Sequence, residues 1–150
     1  MSFSIDGKTA IVTGAANGIG LAVARHFAEC GANVMHADMD EASLVKELGS
    51  GSEDAEQTYF AGDLREKLTI ANLISATLDV YDRIDILINA SRQVLASDFF
   101  DTEDKSVEIS LEQNVLTSLR LSQHVAKRMI KQNEGQNEGQ AGAIVNLSSI

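Results

Sequence analysis

Thr13-Gly14-Ala15-Ala16-Asn17-Gly18-Ile19-Gly20 joins a β-branched, apolar run, Lys8 to Thr13, to a stretch in which Ile19, Val23 and Phe27 recur every four residues with Ala22 on the same face. The first run has the composition of a strand and the second the spacing of an amphipathic helix, and the glycines between them mark a tight turn. In that order the unpaired N–H groups of the first helical turn, and the positive end of the helix dipole, face outward at the strand's end. Glycines there let the backbone turn sharply and come close to an anion. The spacing is Gly-x3-Gly-x-Gly, not the commoner Gly-x-Gly-x-x-Gly, so position carries more weight than pattern; for the glycines alone a purely structural turn is the plainer alternative.

Outward from this turn the alternation continues. Gly31 ends the helix, Asn33 to Ala37 reads as a second strand, and Ala42 to Leu48 as a second helix with Asp40 and Glu41 at its start. Thr58 to Ala61 is a third strand. Leu68, Ala71, Ile74, Leu78 and Tyr81 keep helical spacing through Glu66 to Tyr81, and Ile84 to Ile88 is a strand apolar enough to be buried on both faces. Ser91 to Glu103 is a polar loop carrying Phe99 and Phe100, which either border a pocket or pack under the sheet. Leu111, Val115, Ser118, Leu119, Ser122, Val125, Ala126 and Met129 mark a long helix with a small-residue stripe. Gln132 to Gln140 repeats Gln-Asn-Glu-Gly and reads as a surface loop before a fifth strand at Ala143 to Leu147. Five strands alternating with helices predict a doubly wound parallel α/β sheet, a Rossmann fold. No crossover helix follows the fifth strand, and the expectation is of a dinucleotide-binding domain over residues 1–150 that is cut off before its catalytic and substrate segments.

Composition narrows the function classes. With 150 residues and 44% hydrophobic content one sizeable core is expected. A formal charge of −10, from 22 acidic and 12 basic residues with no basic cluster, argues against nucleic acid and anionic membrane as partners. The N-terminus lacks a signal-like basic and apolar pattern, and no run of 18 apolar residues occurs, so the chain is read as cytoplasmic. Cys30 is expected to be a small buried hydrophobe. His26, His36 and His124 have no ligand spacing, and no metal site is expected.

Asp38 ends the second strand, 18 residues after Gly20, where a carboxylate can accept hydrogen bonds from the hydroxyls of an adenosine ribose. A solvated strand-end aspartate is the plainer alternative. With the glycine turn it points to NAD, because a 2′-phosphate would meet this carboxylate and would find Asn17 where a cation is wanted. Up to this point a methyltransferase-like α/β domain, which also sets an acidic residue on a ribose after its second strand, fits as well.

At Thr13 to Gly20 the chain resembles the short-chain dehydrogenase/reductase family, matching every fixed position of its Thr-Gly-x-x-x-Gly-Ile-Gly motif. The resemblance covers the whole chain. It extends to Asp63-Leu64, which in the family lies against the adenine, and to Asn89-Ala90, which resembles the family's Asn-Asn-Ala-Gly with Ile88 in place of the first Asn and Ser91 in place of the Gly. Asn114 matches the family's helix Asn, which holds a water in the proton relay, and Ile144 to Ser149 matches the stretch ending in the catalytic Ser, taken here as Ser149 with Ser148 as runner-up.

The resemblance implies hydride transfer between the nicotinamide of NAD and a small alcohol or carbonyl substrate. It implies cofactor contacts by Gly14, Asn17, Gly18, Ile19, Gly20, Asp38, Asp63, Leu64, Asn89 and Ala90, catalytic roles for Ser149 and Asn114, and assembly as a homodimer or homotetramer. The family's acid/base is a Tyr whose pKa is lowered by a Lys four residues on. The tyrosines here are Tyr59 and Tyr81, followed four residues later by Asp63 and Asp85, so the Tyr-x-x-x-Lys pair is expected beyond residue 150. A dinucleotide-binding module without catalysis is the alternative.

Overall fold

The computed structural model describes residues 4–49, 57–135 and 139–148. Five parallel strands, β1 (Thr9–Thr13), β2 (Asn33–Asp38), β3 (Gln57–Ala61), β4 (Ile86–Asn89) and β5 (Ala143–Asn146), form one sheet in the order β3-β2-β1-β4-β5. The chain runs outward from β1 to one edge, then returns across β1 to build the other half, so strand order reverses between β1 and β4. This is the Rossmann-type arrangement expected from the sequence, and ligands in such sheets bind outside the strand ends at that reversal.

Alternation along the strands divides the core between the two faces. Ile11, Met35 and Leu87 point to one face with Leu73 of α3 (Lys67–Tyr81) and Leu121 and Val125 of α5 (Thr117–Gln132). Val12, Val34 and Ile88 point to the other with Ala24 of α1 (Gly18–Glu29). A fourth helix, α2 (Glu41–Leu48), is capped by Asp40, whose carboxylate accepts the Ser43 amide, and it packs over β3 and β2.

Several expectations fail on the helices. The buried stripe of α3 is Ile70, Leu73 and Thr77, whereas Leu68, assigned to the apolar face, is 72% exposed. The long helix begins earlier, with α4 (Ser106–Leu111), and passes through a π-helical turn, Glu112–Leu116, before α5. Such a turn adds one residue to the repeat and changes which side chains face inward. Gln113, Thr117, Leu121, Val125 and Met129 are buried, while Leu111, Val115 and Leu119 of the expected stripe are half exposed. The Thr117 hydroxyl donates to the Glu112 carbonyl five residues back. Cys30 is exposed at the C-terminal end of α1, with Sγ 3.7 Å from His26 Nε2. Phe99 and Phe100 pack edge to face on each other at 91% and 88% exposure and cover nothing under the sheet.

At the N-terminal end of the strands, Asp85 is buried beside β1, where it accepts hydrogen bonds from the Thr9 amide (3.0 Å) and from Arg83 (2.6 Å). Burial pushes its carboxyl up, but the bonds from Arg83 and Thr9, with the nearby charges of Arg83 and Lys8, outweigh this and hold it below the usual range. Its ionised form therefore stabilises the fold above the unfolded-state value, near 3.8, and that contribution fades as pH falls through the lower folded value. Asp85→Ala is expected to cost about 2 kcal/mol at pH 7, mainly for the unpaired Thr9 amide since Arg83 is half exposed. Urea unfolding from pH 7 to pH 2 should show the difference from the parent chain shrinking below pH 4. A constant difference would mean that ionisation is not what Asp85 contributes.

Candidate functional site

The turn between β1 and α1 is built on backbone contacts that exclude side chains. Gly14 has φ +65°, and a Cβ there would lie 2.9 Å from the Ala90 carbonyl oxygen and from the Ser91 Cα. A Cβ on Gly20 would strike the Gly14 carbonyl and come within 2.9 Å of the Thr13 oxygen, so the first turn of α1 rests directly on the strand-end backbone. Gly18, at φ +55°, has no neighbour within 4 Å and is open on its outer side. Thr13 ties this turn to the loop after β4: its Oγ1 accepts the amides of Ala90 and Ser91, both at 3.1 Å.

The start of α1 is left without protein partners of the usual kind. Asn17 makes no capping side-chain hydrogen bond, and the first turn contains no acidic residue. Ile19, on that turn, is 64% exposed. Asp38 lies across the turn, with Oδ2 accepting the Ala16 amide at 3.1 Å and Oδ1 accepting the Asp40 amide at 3.0 Å. Its carboxylate therefore faces the glycine turn. Gly14, Asp38, Gly62, Leu64, Ser91 and Gln113 line one small cleft above the strand ends.

Other expected contacts are arranged differently. Asn89 is 4% exposed, and its amide nitrogen donates inward to Ser122 Oγ (3.0 Å) and Asn146 Oδ1 (2.8 Å), locking β4 to α5 and β5. Its backbone carbonyl accepts the Leu147 amide at 3.0 Å. Asp63 is held by Arg65 through a 2.6 Å ion pair and the Arg65 amide, and the Arg65 hydrogen bond keeps its carboxyl below the usual range against the opposing effect of burial. Asn114 sits in the π-helical turn and exchanges two hydrogen bonds with the Gln93 backbone, at 2.7 and 2.8 Å, which fixes the loop after β4. Ser149 lies outside the described residues; Ser148 is exposed at the end of β5.

Sequence reading missed Gln113 and Thr13 as parts of this site. Gln113 donates to Ser91 Oγ at 3.0 Å and is buried, which no linear pattern signals, since the helical phase that turns it inward comes from the π turn. Thr13 was read as a motif position, but its clamp on Ala90 and Ser91 depends on two strands 77 residues apart in sequence.

Among the described residues no three or more His, Cys, Asp or Glu side chains are placed to hold a metal ion. His36 is buried in β2, where burial pushes its imidazole below the usual value against the hydrogen bond near the Thr58 carbonyl. No helix among them is long and apolar enough to cross a membrane.

An open glycine cradle, an uncapped helix start and an acceptor at the end of β2 define a nucleotide-binding α/β domain in form. The short chain dehydrogenase family model matches residues 8–150, and the chain belongs to that family. It is 31% identical to the NAD-dependent glycerol dehydrogenase of Listeria innocua over 147 residues, covering 98% of this chain and 54% of the relative. It is 32% identical to the D-threitol dehydrogenase of Mycolicibacterium smegmatis over 148 residues, with the same coverage of each. The chain thus spans about half the length of the curated relatives it matches. Among solved structures, the NADP-bound C-domain of a bacterial malonyl-CoA reductase superposes with a TM-score of 0.81 at 28% identity, over 97% of this chain and 23% of that one. Membership in this family displaces the methyltransferase-like alternative.

Proposed function

We propose that this chain is the cofactor-holding part of an NAD-dependent oxidoreductase acting on a small alcohol or carbonyl compound. The observation that carries this reading is the Asp38 carboxylate, turned toward the glycine turn in the cleft it shares with Gly14 and Leu64. Gly14, Asn17, Gly18, Ile19 and Gly20 would hold the dinucleotide's bridging phosphates against the first amides of α1. Asp38 would accept the adenosine ribose hydroxyls, with Leu64 and Asp63 beside the base and the backbone of Asn89 and Ala90 beneath the sugar. When bound, the nicotinamide supplies the hydride acceptor or donor.

Asn114 would keep the loop after β4 in place, and the Ser149 hydroxyl would donate to the substrate oxygen as charge develops on it. The proton itself needs a Tyr-x-x-x-Lys pair, which neither Tyr59 nor Tyr81 provides. The second reading, a dinucleotide-binding module without turnover, predicts NAD binding with no reduction of NAD by any alcohol. A homodimer or homotetramer assembled through the long helix, with its small-residue stripe Ser118, Ser122 and Ala126, is part of the first reading.

Calorimetric titration with NAD and with NADP tests the cofactor assignment. The expected result is tighter binding of NAD by about tenfold or more, because a 2′-phosphate would bring like charge against Asp38 with no cation on Asn17 to offset it. Equal or tighter binding of NADP, the cofactor of the malonyl-CoA reductase domain, would overturn it.

A further inference from the structure

Ser91 stands where the family's turn has glycine, and it lines the cleft with its backbone against Gly14. Its backbone amide is already used on Thr13 Oγ1. Its hydroxyl oxygen lies 3.0 Å from Nε2 of Gln113, a side chain only 7% exposed and so held in one position by the π-helical turn. An amide NH2 can only donate, so Ser91 Oγ is the acceptor in that contact. The single hydroxyl proton is then directed elsewhere, and no described residue accepts it. The cleft that Gly14, Asp38 and Ser91 line therefore carries an acceptor at Asp38 and a proton donor at Ser91.

We propose that Ser91, oriented by Gln113, is a dinucleotide-binding residue that donates a hydrogen bond to an oxygen of the adenosine ribose-phosphate. This rests on the reading that the cleft binds NAD. Ser91 contributes the contact, and Gln113 is a positioning residue that keeps the serine oxygen occupied as an acceptor so that its proton points outward. The pairing replaces the close backbone approach that glycine gives at this turn with one directed bond.

Three single variants separate this from a purely structural pair. Ser91→Ala removes the donor. Gln113→Glu, measured at pH 8, puts an acceptor where the donor stood, so the serine proton turns inward. Gln113→Leu leaves the serine free to rotate. NAD titration should show about a fivefold to tenfold loss of affinity for Ser91→Ala and for Gln113→Glu, a smaller loss for Gln113→Leu, and no further loss when the first two are combined. Ser91→Gly, which keeps the turn's geometry, should match Ser91→Ala and guards against a folding defect. Thermal unfolding without NAD is the second readout: a pair that only holds the loop would lower the midpoint in Ser91→Ala and Gln113→Glu while leaving NAD affinity within twofold of the parent, and that result overturns the proposal. Absence of NAD binding by the parent chain would instead overturn the cofactor reading and the proposal with it.

Discussion

Gly20→Ala is expected to destabilise the chain by about 3 kcal/mol and to abolish measurable NAD binding. The added carbon would overlap the Gly14 carbonyl and crowd the Thr13 oxygen, and both are backbone atoms that cannot move aside as a rotamer does. Relief requires α1 to lift from the end of β1, which opens the contact between the helix's first turn and the glycine cradle and disperses the amides that would face a phosphate. Gly18→Ala is the control. Its Cβ meets open space, so the fold should lose only about 1 kcal/mol, the strain of an L-residue at a positive φ. Chemical unfolding paired with NAD titration distinguishes the two variants. If Gly20→Ala unfolded like Gly18→Ala, the close helix-to-strand contact would not be what shapes the turn.

The second large effect concerns Asp38. Removing its carboxylate in Asp38→Ala is expected to weaken NAD binding by about 30-fold, corresponding to about 2 kcal/mol for charge-assisted bonds to ribose hydroxyls. NADP should bind better to this variant than to the parent, since the like charge facing its 2′-phosphate is gone, and preference between the cofactors should narrow or reverse. Asp38 also accepts the Ala16 and Asp40 amides, so part of the loss can come from a loosened turn. Asp38→Asn retains a carbonyl acceptor for one of these amides and removes the charge. In that variant the fold should lose about 1 kcal/mol for the amide left facing an NH2, with a shifted NAD-to-NADP affinity ratio measured by calorimetry. An unchanged ratio in both variants would show that Asp38 does not read the ribose.

The order of elements and the site of the turn were legible in the chain because both depend on local physics. Short, largely apolar runs in β1, β2 and β4, set off by turn residues, and the glycine spacing survive in any tertiary context that buries both faces of the sheet. Asp38 and the glycines were equally accessible, since one strand-helix-strand unit, β1-α1-β2, carries them both. The facing of α3 and α5 was not. Leu68, Leu111, Val115 and Leu119 have helical spacing, but which side of a helix turns inward depends on crossing geometry and, in the second case, on the π-helical turn. Burial of Cys30, and the packing of Phe99 and Phe100 under the sheet that was one of their two readings, failed for a related reason: apolar character says that burial is favourable, not that a partner surface lies within reach.

By itself, the sequence determined a parallel α/β sheet opened by a glycine turn, with an acidic residue at the end of the second strand, because these follow from residue types a few positions apart. Only the tertiary structure decided that Asn89 turns inward, that Arg65 occupies Asp63, and that Gln113 meets Ser91 beside Gly14. The Asn89 and Gln113 contacts join elements 22 to 57 residues apart in sequence, and their geometry is fixed by packing around the sheet, not by local preference. Arg65 is only two residues from Asp63, and what that spacing left open was the side-chain conformation that pairs the two.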